Sequence, residues 1–252
     1  MRTTLIRAAF VVAGCCLASA CGTSTEPRVN LIAVDTLIAE MNTAATLGGP
    51  ASAAAGVPLT EVAPTPAICP YNASSQRFVC PPVQSNGFIY SRYFQLLDAS
   101  DAPLSVFDTK VVVLRVVTDV SGGRTTQGGT VTLSSHDDAR LSGLHSDVHT
   151  INSTGTSTNT VTTTSGQTFS FKVTQTTSNL VLPKRGSGGK YPQSGTITMN
   201  VTAGPQGSVG AISTITMTFD GTSIAKWTVV TGAMTQTCSI DMGNPSATPV
   251  CK

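Results

Sequence analysis

The sequence predicts a mainly β fold, a meander of long antiparallel strands curled into an open barrel or a sandwich, with one amphipathic helix ahead of it. Three observations carry this expectation. Threonine occurs 39 times in 252 residues, 28 of them after position 120, and β-branched residues suit strands. The apolar pattern has period two, clearest in Thr196-Ile197-Thr198-Met199-Asn200-Val201-Thr202 and Thr214-Ile215-Thr216-Met217-Thr218-Phe219. Such alternation puts Ile, Met, Val and Phe on one face of a strand and Thr on the other. Short turn signals separate the periodic stretches, among them Ser121-Gly122-Gly123, Ser165-Gly166-Gln167, Gly204-Pro205-Gln206-Gly207 and Asp220-Gly221.

The chain opens with MRTTLIR, which carries two arginines and no acid, and continues through residues 8–20 as an unbroken run of apolar and small residues. This is the layout of an export signal, 1–20, and 13 apolar residues are too few to span a bilayer core of about 30 Å. The run ends in Leu17-Ala18-Ser19-Ala20-Cys21-Gly22, which resembles the lipobox of bacterial lipoproteins. The resemblance covers the first 22 residues and departs from the commonest pattern at Ala18. It implies that Cys21 becomes the lipidated first residue of a protein held at the membrane of a bacterial cell envelope, outside the cytoplasm. An ordinary secretory cut after Ala20, giving a soluble exported protein, is the alternative. Removing Arg2 and Arg7 with the signal leaves 13 Lys+Arg against 13 Asp+Glu, so the mature chain lacks the basic excess that nucleic-acid binding draws on.

Residues 21–47 form the lipidated N-terminus and the predicted helix. Pro27 suits a first turn, Leu31, Val34, Ile38, Met41 and Ala45 recur at three- and four-residue steps, and Gly48-Gly49-Pro50 stops the pattern. Residues 48–67 hold four prolines among small residues without any apolar period, and read as a linker.

The β domain is assigned to 68–252, with strand candidates at 76–83, 87–97, 109–119, 129–135, 143–151, 158–164, 167–177, 222–230 and 235–242 beside the two quoted above. Strands near ten residues exceed the usual five or six, so bends or bulges are expected at the glycines inside them. An outer-membrane barrel shares the alternation, but the aromatics do not form two belts: seven fall between Tyr71 and Phe107.

With Cys21 acylated, Cys69, Cys80, Cys238 and Cys251 remain, an even number that permits three pairings. The local pairs, Cys69 with Cys80 and Cys238 with Cys251, each bracket a turn-rich stretch and read as stapled hairpins in an oxidising compartment. The close Cys spacing of a zinc site is absent.

No catalytic motif accompanies this frame. Ser223-Ile224-Ala225-Lys226 matches the Ser-x-x-Lys of penicillin-recognising enzymes, but it falls in a strand candidate and lacks the companion elements. All three histidines lie in 136–149, and on a strand His145, Asp147 and His149 would share a face as a possible metal-ligand set. Lys184, Arg185 and Lys190, in a glycine-rich turn, form the one basic cluster, a candidate contact for an anionic surface.

Three functions follow as expectations. The first is a lipid-anchored extracytoplasmic β domain, non-catalytic and without a cofactor, that binds or scaffolds an envelope component. The second is a carrier holding a lipid or other apolar ligand in a curved-sheet groove, and a solid core would count against it. The third is a metal-assisted hydrolase using the 136–149 cluster.

Overall fold

A computed structural model describes residues 69–184, 189–205, 211–244 and 249–252. The export signal, Cys21, the helix of 21–47, the linker 48–67 and Arg185 lie outside the described residues.

Among these residues the chain forms one antiparallel sheet of thirteen strands: β1 (Tyr71–Asn72), β2 (Arg77–Ser85), β3 (Phe88–Leu97), β4 (Pro103–Leu104), β5 (Val113–Thr126), β6 (Gly129–Ser142), β7 (Val148–Thr163), β8 (Thr168–Pro183), β9 (Ser194–Pro205), β10 (Ala211–Phe219), β11 (Ile224–Thr231), β12 (Met234–Asp241) and β13 (Val250–Cys251). Each strand pairs with its neighbours in sequence, except that β4 pairs only with β3, which leaves β3 beside β5. β1 and β13 stand at opposite ends of this order, so the sheet is an open meander and not a closed barrel.

The pairing registers line residues up in rows across the sheet, and residues directly opposite each other share a face. One row runs Phe78, Phe94, Val116, Ala139, Ser153, Thr177, Ile197, Met217, Trp227, Cys238. With the neighbouring Leu96–Leu114–Leu141–Ile151–Leu180 row it forms a core in which Phe94, Leu96, Leu114, Leu141, Leu180 and Ile197 are at most 1% exposed. Burying each such side chain contributes about 1.5–3 kcal/mol before the entropy of ordering is set against it.

The next residue along each strand points the other way, and there the row reads Val79, Tyr93, Val117, Asp138, Thr154, Thr176, Thr198, Thr216, Thr228, Thr237. Six threonines on six adjacent strands thus cover the outer face. The threonine excess has its place here: β-branching suits the strand, and the hydroxyl meets water.

Both disulfides expected from the spacing are present, Cys69–Cys80 and Cys238–Cys251. They staple the two ends of the sheet, where β1 and β13 are only two residues long.

Three strand expectations are corrected. Ser121-Gly122-Gly123 is not a turn but part of β5, where Gly122 pairs with Phe88 on one side and Leu133 on the other. Gly122 has φ +141°, and a Cβ on it would lie 2.3 Å from the Gly87 carbonyl oxygen, so these glycines admit the β2–β3 turn against β5. The actual turn is Gln127-Gly128, between paired Thr126 and Gly129. Secondly, β6 runs past 135 to Ser142, and β7 runs unbroken through the gap left between 143–151 and 158–164. The alternation hid this because polar or side-chain-free residues, among them Asp137, Gly155, Ser157 and Asn159, stand on the core face. Thirdly, residues 143–147 are a turn preceding β7.

Candidate functional site

That interruption of the apolar core face is the candidate site. Two residues along from the Phe78–Phe94 row, the same face reads Cys80, Arg92, Thr118, Asp137, Gly155, Gln175. The next row reads Tyr90, Val120, Ser135, Ser157, Val173, and the one after it begins Phe88, Gly122, Leu133, Asn159. A polar belt therefore crosses β3 to β8 between the main core and a second, smaller cluster of Phe88, Val120 and Leu133.

The Arg92 guanidinium donates through Nε to Thr118 Oγ1 at 3.1 Å, joining β3 to β5. Burial pulls the Arg92 pKa down, and the negative charge of Asp137 opposes this. The Asp137 carboxyl is pushed up to about 6, chiefly by burial and then by the neighbouring charge of Asp138, while His136 and Arg92 pull it back. Gly155 gives this carboxyl room, for a Cβ there would lie 2.8 Å from Asp137 Oδ1. Ser157 and Asn159 are buried beyond it, and Ser157 Oγ has no hydrogen-bond partner. A buried polar group left in this state is costly, and such sites concentrate at functional surfaces.

Strand alternation divides the tripeptide His136-Asp137-Asp138 between the faces. Asp137 enters the belt. On the outer face His136 Nδ1 lies 2.7 Å from Asp119 Oδ1, and Asp138 accepts from Arg115 Nε at 2.9 Å and from its Nη2, which holds Arg115 more firmly protonated. Arg140 pairs with Asp101 beyond them.

The proposed ligand set meets a different geometry. His145 and Asp147 stand in the turn before β7, while His149 is on the strand itself, buried opposite Leu182 on the core side. His145 Nε2 lies 2.8 Å from the Val111 carbonyl oxygen, and the Asp147 carbonyl accepts from the Lys184 N–H at 2.8 Å. The strand alternation that placed the three on one face does not hold, because Gly143, at φ +78°, turns the chain. Among the described residues no group of three His, Cys, Asp or Glu side chains is placed to hold a metal ion. In the basic cluster, Lys184 follows β8 and Lys190 Nζ lies 5.5 Å from the Tyr191 ring centroid. Lys190 also helps hold the exposed Asp241 carboxyl below its ordinary value, after hydrogen bonds from Ser223 and the Gly243 N–H.

Sequence reasoning missed Arg92, Ser157 and Asn159, and took Asp137 only as a member of the 136–149 cluster, without a place on the core face. The signal for Asp137 was present in 129–142, where Val131, Leu133, Ser135, Asp137, Ala139 and Leu141 keep period two and place a carboxyl in an otherwise largely apolar column.

Among the described residues no helix is long and apolar enough to cross a membrane, which says nothing of strands. No protein-family model, no curated protein and no solved structure matches the chain.

Proposed function

We propose that the chain is a lipid-anchored extracytoplasmic β domain of the bacterial envelope that acts by binding, with its sheet curled over the core as an open sandwich. The observation that carries this reading is the polar belt of Arg92, Asp137 and Ser157, set in the apolar face of a sheet stapled at both ends. Disulfides of this kind persist in oxidising compartments, which supports export. With those two pairs made, Cys21 is the one cysteine beyond the signal left over, in keeping with acylation there. Its partners are the membrane, through the anchor, and an envelope component at the belt. The close packing of Phe94, Leu96, Leu114, Leu141, Leu180 and Ile197 counts against a carrier groove in that half of the face.

The test is expression of the whole chain in a bacterial host beside Cys21→Ser. The wild type is expected in the membrane fraction, with a mass increment for lipid and no free thiols, and the variant in the soluble extracytoplasmic fraction. Wild-type chain recovered unmodified and reduced from the cytoplasm would overturn the reading.

A further inference from the structure

We infer that the belt of Arg92, Asp137 and Ser157 is a binding site for a neutral, hydroxyl-rich ligand, a sugar unit of an envelope glycan. This rests on the binding reading above and names the ligand class for the same site. Three features of the belt favour hydroxyl groups over ions or acyl chains.

Charge is the first. One guanidinium and one carboxyl lie in the same row, separated by a single strand, so the belt offers a strong donor and a strong acceptor with no net charge. An anion would meet the like charge of Asp137 and a cation that of Arg92, whereas a hydroxyl, which donates and accepts at once, uses both. The second is the Ser157 hydroxyl, buried without a hydrogen-bond partner one row away on the adjoining strand. A polar ligand can complete it, and an acyl chain cannot. The third is the aromatic edge. Tyr90, partly exposed in the Ser157 row and packed against the buried Phe88, presents an aromatic ring of the kind that packs against the C–H face of a sugar. The outer-face threonines also carry hydroxyls, but they are solvated and carry no such unsatisfied group among those described.

The experiment is calorimetric titration of the disulfide-intact, detergent-solubilised whole mature protein with cellohexaose, with chitohexaose and, as the competing chemistry, with laurate. Wild type, Asp137→Asn and Ser157→Ala are compared, each with a urea denaturation curve. At least one hexasaccharide is expected to bind, laurate neither to bind at this site nor to displace it, and Asp137→Asn to weaken the sugar by roughly tenfold, the loss expected for a hydrogen bond to a charged group. Ser157→Ala is expected to weaken the sugar while leaving the urea midpoint unchanged or raised. A hydroxyl that serves only the fold would lower the midpoint, and that result counts against the site. Failure of both sugars, displacement by laurate, or equal affinity in Asp137→Asn overturns the ligand class. Because membrane attachment is read separately with Cys21→Ser, a protein that is anchored and yet binds no sugar refutes this inference alone.

Discussion

The Asp137 carboxyl occupies the space that a side chain on Gly155 would need: a Cβ on Gly155 would stand 2.8 Å from Asp137 Oδ1, across the β6–β7 pairing of the two residues. The obstacle is the end of a rotatable side chain, so Gly155→Ala is expected to fold with a loss of about 1 kcal/mol. The displaced carboxyl moves out of the belt, and its pKa is expected to fall from about 6 towards the ordinary carboxylate value, as read by carboxyl NMR titration. Gly122→Ala is the contrast. There a Cβ would meet the Gly87 carbonyl oxygen at 2.3 Å at φ +141°, and backbone cannot swing aside. A loss of about 3 kcal/mol or more is expected in urea denaturation.

Asp137 also sets the sign of one pH dependence. Its folded pKa of about 6 lies above its ordinary 3.8, so between these values the folded protein binds more protons than the unfolded chain. Stability from this group is full below 3.8 and is lost as pH rises through 6. The loss should be about 1–2 kcal/mol once partial exposure is allowed for. Asp220 works in the opposite sense. Hydrogen bonds from Thr222 and Lys226 hold its exposed carboxyl at about 2, so its contribution is present above 3.8 and is lost as pH falls towards 2. Urea midpoints are expected to decline from pH 4 to pH 7 in the wild type, and the decline is expected to shrink in Asp137→Asn. An unchanged slope in that variant would assign the effect elsewhere.

The two disulfides protect sheet edges as well as stability. β13 covers only the Cys238–Ser239 stretch of β12, extended by a Thr237–Lys252 backbone pair, and Met234 at the far end is 73% exposed. Replacing Cys238 and Cys251 together with Ser is expected to cost about 3 kcal/mol in the chain-entropy account and to release β13. An uncovered β12 then offers free N–H and C=O groups to another chain, and concentration-dependent association in light scattering is the expected sign. The other edge is less exposed to this failure, since Pro81 and Pro82 in β2 lack the N–H groups that a pairing strand would use.

Strands with clean alternation were legible in the sequence. β9 and β10, with Thr196 to Thr202 and Thr214 to Phe219, meet the expectation because every apolar residue there has one face to serve. The middle of β6 and β7 was not, and the reason is physical. Asp137, Gly155 and Ser157 put polar or side-chain-free positions on the core side, so the hydropathy period fails where the candidate site begins. Gly122 misled in the same way. A glycine pair signals a turn when read locally, and only the approach of Gly87 from another hairpin shows why side chains are excluded there. The local disulfides were readable because each closes a short segment around turn residues, whereas the His145–Asp147–His149 set was not, because Gly143 ended the strand that would have aligned it.

The outer row from Thr154 to Thr237 allows the two properties of threonine to be separated. Thr176, Thr198, Thr216 and Thr228 are consecutive in that row, so changing all four to Val keeps the β-branched shape on every strand and removes only the hydroxyls. Cross-strand packing of Val pairs is at least as favourable as that of Thr pairs, so the urea midpoint is expected to hold or to rise. Solubility is expected to fall, because four adjoining strands would then present one apolar patch to water. Changing the same four to Ser keeps the hydroxyls and discards the branching, and should give the reverse: a soluble chain with a midpoint lowered by about 1–2 kcal/mol in total. Paired urea and light-scattering measurements on the two variants would decide it, and a soluble, unweakened serine variant would mean that β-branching along this row contributes nothing to the strands.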